Sequence, residues 1–211
     1  MKNSGLRRAL AATLAAATLV GIGPPTESSV GATAHAEPMV NSSFAGDFEL
    51  PQRWNDDYKP GTECATPGEA GVWVSAKRRW FKQTDAASVA NRNEESIPVS
   101  HSVTNKRTQT LEVSGQAKGE GDLAKYATNA FGFNYVHQVH WSLEQTVGPY
   151  ELPSGRQGKL VWGFTILDTD NQNVECGVDQ VWHSQGEPYS ASIPEARYSE
   201  LRLDDAPVWD A

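Results

Sequence analysis

The side chains here that could carry chemistry are five histidines, two cysteines and a large set of carboxylates. His101 and His137 each fall on the apolar side of an alternating segment, and His140 falls opposite His137. If those two segments paired, His101 and His137 would meet, as partial metal ligands or as a pair titrating near neutral pH. A zinc site needs three or four ligands, and the sequence names no third. Packed or cross-strand histidines are therefore the plainer reading. Asp168, Asp170 and Glu175 have the oxygen density that calcium wants. The helical calcium loop, however, requires glycine where Asn173 stands and glutamate where Asp179 stands. The run Asp168–Asn171 reads instead as a turn with solvated carboxylates.

Other catalytic patterns are missing. There is no Gly-x-Ser-x-Gly elbow and no glycine loop of the phosphate-cradling kind. Adjacent carboxylates such as Asp56-Asp57 and Glu94-Glu95 are expected by composition alone in an acidic chain. No cofactor is implied, no catalytic residue can be assigned and no metal ligand set can be named. The expectation is a non-enzymatic protein. A carbohydrate binder, or an enzyme whose site forms only in three dimensions, is the remaining alternative.

The cysteines point to compartment. Residues 1–36 carry Lys2, Arg7 and Arg8, then an apolar run from Ala9 to Gly21, then Ala34-His35-Ala36. These are the three regions of a secretory signal peptide, and the run is short for a membrane span. In an exported chain, Cys64 and Cys176 are expected to form one disulfide closing a loop of over 100 residues. Removing the leader takes Lys2, Arg7, Arg8 and Glu27 from the 18 basic and 26 acidic residues. That leaves 15 against 25, a net charge of −10. Such a balance excludes nucleic acid as a bulk partner and predicts no general affinity for anionic membranes.

The elements that must position these residues read as β. Val72, Val74 and Ala76 alternate with Trp73, Ser75 and Lys77. Ile97, Val99 and Val103 share a face with His101, and Leu111 and Val113 alternate with polar neighbours. Phe131, Phe133, Tyr135, Val139, Trp141 and Leu143 share one face of a predicted strand over 131–143. Leu160 to Ile166 and Val174 to Trp182 repeat the pattern. Gly121 to Asn129 is the one helical candidate, with Leu123, Tyr126, Ala127 and Ala130 at helical spacing. The predicted architecture is mainly β: an antiparallel sheet or sandwich of long strands with one short connecting helix, one disulfide and an extended N-terminal arm.

The β domain is predicted over 70–184, followed by an irregular tail over 185–211. Residues 37–69 form the arm, rich in Pro and Gly yet carrying Phe44, Phe48, Leu50, Trp54 and Tyr58. Spaced aromatics on an extended segment suit strand addition to another protein, and Phe44, Phe48, Leu50 and Trp54 are the predicted partner contacts. The alternative is that they dock on their own domain. The expected partner is another secreted protein. The membrane enters only under an alternative reading, and the oligomeric state is not specified.

Ser102 to Thr110 is a long polar strand of the Val-x-Asn-x-Thr kind leading into small residues. It is followed by Gly148-Pro149-Tyr150-Glu151-Leu152-Pro153-Ser154-Gly155 and then Val161-Trp162-Gly163. Over roughly 100–176 this resembles a group of small secreted actinobacterial β-proteins. Those in turn resemble the epsilon-toxin and mosquitocidal-toxin branch of the aerolysin-like pore formers. The resemblance implies a long-stranded domain that unfolds an amphipathic hairpin, here 107–143, into a membrane. Lys118, Glu120, Asp122 and Lys125 depart from that pattern. In layout alone, an arm over 37–69 before a compact β domain is also similar to the connector subunit of Streptomyces umbrella toxin particles. That likeness implies a subunit of an extracellular toxin complex.

Overall fold

The computed structural model describes residues 48–114, 122–205 and 208. The proposed leader, Phe44, Trp209 and the charged stretch 115–121 lie outside these described residues. Three strands of unusual length dominate: β1 (Ala70–Ala90), β7 (Gln157–Cys176) and β8 (Trp182–Leu203). They pair antiparallel in the order β1-β7-β8, with the short β4 (Glu112–Val113) on the far edge of β8. Two further pairs are built from the chain between β1 and β7. They are β2 (Ile97–Ser102) with β6 (Thr146–Leu152), and β3 (Arg107–Thr110) with β5 (Gln138–Trp141). One helix, α1 (Leu123–Phe131), sits between β4 and β5. The fold is mainly β with one helix and one disulfide.

The long sheet is buried on opposite faces at its two ends. Along β7, even-numbered Leu160, Trp162, Phe164 and Ile166 join a core with Val147, Leu152, Val103 and Trp141. Odd-numbered Leu167 joins a second core with Leu123, Ala127, Ala130 and Phe131 of α1. Successive strand residues point to opposite faces, so these two cores lie on opposite sides of the sheet. The flanking strands must therefore change sides midway. β1 does so at a bulge around Lys77: Val74 faces the helix, whereas Trp80 faces the other core. β8 does so at Glu195, between Ile193 and Leu201. One extra residue flips every side chain after it, which is what a bulge supplies.

These bulges explain the tail. Residues 185–211 read as irregular because Pro188, Pro194 and a phase shift interrupt the alternation, yet β8 continues to Leu203. Pro188 falls in the break between Gln185↔Asn173 and Tyr189↔Asn171, and Pro194 adjoins the bulge. β8 pairs on one side only for most of its length, and such strands accommodate proline. The predicted turn at Asp168–Asn171 is also strand. β7 is central, and β1 and β8 supply partners on both sides. Asp168 and Asp170 accept hydrogen bonds across the sheet from Ser192 and Ser190 at 2.7 and 2.9 Å. The true turn is Gly177–Val181, closed by Gly177 N–H donating to Val181 C=O at 2.9 Å.

The single strand expected over 131–143 does not form. Phe131 ends α1, and Gly132 stops the helix in the left-handed region, φ 72°, its N–H donating to Thr128 C=O. Phe131 and Tyr135 then belong to the helix-side core, whereas Val139 and Trp141, on β5, belong to the other. A spacing of four satisfies both the helical and the strand period, so alternation alone could not separate them.

β3 is tied to β1 by Arg107, whose guanidinium donates twice to Asp85 at 2.8 Å. This bond is the main reason the Asp85 carboxyl is held below its ordinary value of 3.8. A depressed pKa stabilises the fold above the unfolded value, and that contribution is lost as pH falls through the folded one. Asp85→Asn is therefore expected to destabilise at neutral pH. The gap to the parent should close on acidification below about 3.8. Urea midpoints measured across that range check it. A gap that persists at the acid end would mean the pair contributes nothing.

Candidate functional site

The described part of the arm does not stand away from the domain. It runs antiparallel along β1, from a backbone bridge at Phe48↔Arg79 to Tyr58, whose ring lies over Gly71. Phe48 N–H donates to Arg79 C=O at 2.6 Å, and Trp54 N–H to Ala130 C=O at 3.1 Å. Arg53 lies over Trp73, its guanidinium carbon 3.6 Å from the ring centroid. Tyr58 packs on Trp182 and Tyr126 at centroid distances of 5.0 and 5.1 Å. The arm then enters the Cys64–Cys176 disulfide, with Cα atoms 5.8 Å apart. Docking on its own domain, one of the two readings of the arm's aromatics, holds for Phe48 and Tyr58.

Two aromatic and apolar groups of this region remain outside. Trp54 is 73% exposed and Leu50 44%. The loop after α1 adds Phe133, 41% exposed. Gly132 brings that loop to the arm: a Cβ built there would lie 3.6 Å from Trp54 Nε1, so the indole rests over the helix end. Arg79 joins the two segments from below, its guanidinium 5.4 Å from the Phe48 ring and 5.3 Å from that of Phe133. A bidentate bond to Glu195 at 2.6 and 2.7 Å fixes Arg79 and raises its pKa, so it stays cationic. Behind it Tyr135 is buried, its hydroxyl without a hydrogen-bond partner among the described residues and its pKa pushed up chiefly by burial. Removing that hydroxyl in Tyr135→Phe is expected to leave stability unchanged or slightly raised, read by thermal melting. A loss of more than about 1 kcal/mol would mean the hydroxyl is bonded.

Sequence reasoning placed Leu50 and Trp54 in this region but missed Phe133 and Arg79. The missing signal was Gly132, the helix stop that turns Phe133 away from the predicted strand. On the arm's other flank, Phe48 packs edge-on against Tyr198, which packs against Phe81, at 5.2 and 5.0 Å. Burial, then the bond to Glu200, pushes Tyr198 up to about 12.

The other candidate residues separate. β2 pairs with β6 and β5 with β3, so the strands bearing His101 and His140 are not neighbours. His101 stacks on Trp162 at 5.2 Å, and His137 is exposed. Among the described residues no group of three His, Cys, Asp or Glu is placed to hold a metal ion.

No protein-family model matches the chain, and no curated protein matches it. Among solved structures it is similar to a protein from Bacteroides vulgatus described as a candidate pore-forming toxin. The identity is 10% and the TM-score 0.37, over 66% of this chain and 59% of that one. The layout shared with a toxin connector subunit has no counterpart in these comparisons.

Proposed function

We propose that the chain is a secreted, non-enzymatic assembly protein that binds another secreted protein, within an extracellular complex, through the surface of Leu50, Trp54 and Phe133. The observation that carries this reading is the 73% exposure of Trp54, whose backbone is hydrogen-bonded to Ala130 and whose ring rests at Gly132 beside Phe133. Isolated exposed side chains are ordinary, but a large exposed ring held at a helix end next to a second exposed aromatic is the form of an interface anchor. The disulfide suits the oxidising compartment such a protein would work in. Trp54→Ala with Phe133→Ala is expected to weaken partner binding by about 30-fold or more, as for hot-spot truncations. The native mass in culture supernatant, by size exclusion, is the measurement. Elution of the parent as a lone monomer would sink the reading.

A second reading is membrane insertion of 107–143. It is favoured by the β3–β5 ladder, which already pairs Arg107↔Trp141 through Thr110↔Gln138 and so closes the two ends of that segment. From Leu111 to Leu123 the odd positions hold Leu, Val, Gly, Ala, Gly, Gly and Leu. The even positions hold Glu112, Ser114, Gln116, Lys118, Glu120 and Asp122. Of the four charged residues that depart from the barrel pattern, Lys118, Glu120 and Asp122 fall on the polar phase of this alternation and Lys125 alone falls on the apolar one. Dye release from liposomes separates the two readings.

A further inference from the structure

We propose that Arg53–Tyr58 is a strap across α1, latched at Tyr58, and that release of this latch is what lets the helix leave the sheet. This does not depend on the assembly reading. Both ends of the strap are fixed on the long sheet. Phe48 N–H donates to Arg79 C=O at one end. At the other, Gly61 N–H donates to Trp182 C=O at 2.8 Å, just before the disulfide at Cys64. Between those points the arm's backbone bonds to the rest of the described chain end on one atom, the carbonyl oxygen of Ala130.

That oxygen belongs to the last turn of α1. The last four carbonyls of a helix have no partner within it. Here Gly132 N–H meets that of Thr128, and the strap meets that of Ala130 twice, through Trp54 N–H at 3.1 Å and Asn55 N–H at 3.4 Å. The helix is therefore capped from outside, by a segment distant in sequence. Two side chains of the strap add to this, each joining α1 to the sheet. Arg53 lies 3.6 Å from the ring centroid of Trp73 on β1 and 5.0 Å from that of Phe131 on α1. Tyr58 packs against Gly71 on β1 and Trp182 on β8, and edge-on against Tyr126 on α1.

Both side chains are held at a cost. Tyr58 has φ 66°, in the left-handed region that residues other than Gly, Asn and Asp seldom occupy. Arg53 Nη2 is buried with no hydrogen-bond partner among the described residues, an unfavourable state for a cation. Such outliers persist only where the surrounding contacts impose them, and they gather at clamps and switches. The strap is thus closed by contacts that oppose local strain, which is the construction of a latch. Trp54 lies between its two anchors, so whatever holds the indole at Gly132 holds the helix down, and whatever lifts it frees the helix.

Amide exchange in α1 of the full chain, purified from culture supernatant, tests this. A Cβ added at Gly71 would lie 2.0 Å from Tyr58 Cδ1, and its three nearest atoms all belong to that ring. Gly71→Ala therefore displaces the latch rather than the helix, and the α1 amides should exchange about tenfold or more faster. Tyr58→Gly removes the ring while suiting the left-handed backbone, and should do the same. In that background Gly71→Ala should add nothing, because no ring is left to displace. Leu152→Ala is the contrast, since Leu152 is buried in the opposite core. The strap-open form keeps that core, so this variant should speed exchange in β7 and leave α1 at the parent rate. Unmoved α1 exchange in both Gly71→Ala and Tyr58→Gly would overturn the proposal. So would additive effects of the two. So would α1 speeding up as much in Leu152→Ala as in Gly71→Ala, since the helix would then leave only when the whole chain unfolds.

Discussion

Replacing Cys64 and Cys176 together by alanine is expected to lower the stability of this chain by about 4–5 kcal/mol while leaving its folded structure in place. The size follows from the loop: the bond spans 112 residues, and releasing so long a loop returns a large conformational entropy to the unfolded chain. The preserved structure follows from the backbone around the bond. Gly61 N–H donates to Trp182 C=O at 2.8 Å, and Trp182 N–H donates to Thr62 C=O at 2.9 Å. Cys64 N–H donates to Gln180 C=O at 2.8 Å, and Cys176 N–H donates to Glu69 C=O at 2.8 Å. Val174, Trp182 and Tyr58 pack with the two cysteines in one apolar cluster, which does not itself require the bond. Against a typical total of 5–15 kcal/mol the loss is a third or more. Urea unfolding of the parent and the double variant measures it. A loss below about 1 kcal/mol would show that the cross-linked unfolded chain retains structure offsetting the entropy.

The disulfide was legible because it depends on residue type and compartment, not on geometry. Strand content was legible wherever a single face is buried: β2 alternates from Ile97 to His101 as its sequence does. What stayed hidden has one physical origin. A strand that changes its buried face must insert a residue, and the insertion breaks the alternation by which it would be recognised. β8 does this at Glu195, with prolines beside both of its irregularities, and so reads as a tail. β7 was legible from Leu160 to Ile166, but its continuation through Asp168–Asn171 reads as a turn, because the β1 and β8 partners that hold those polar residues in the strand are distant in sequence. The candidate surface was half legible. Trp54 and Leu50 stand out as apolar residues in a linker-like stretch, but Phe133 joins them only through the left-handed Gly132, a contact distant in sequence. Arg79 carried no signal in the sequence, because its role comes from Glu195, Phe48 and Phe133, which lie on three different elements.

Leu123→Ala is expected to cost about 3 kcal/mol, within the 2–5 kcal/mol range for leucine truncation in a packed core. Leu123 is fully buried at the first turn of α1, in the core that holds the helix against Val72, Val74 and Ile193. Asp122 makes no side-chain capping bond, and a helix of nine residues is too short to persist unsupported. The truncation should therefore act locally, loosening the chain between β4 and β5 more than the opposite core around Phe164, and amide exchange in α1 should rise more than in β6. This locality makes the variant a test of function as well as stability. If 107–143 inserts into membranes, α1 is what must come off the sheet first. Leu123→Ala should then release dye from liposomes faster than the parent. If the chain acts as an assembly protein through Trp54 and Phe133, the variant is less stable but leaves liposomes intact. In that case partner affinity falls only to the extent that the end of α1, on which Trp54 rests, has moved. Faster leakage would discard the assembly reading as the primary one. Intact liposomes with both parent and variant would discard insertion.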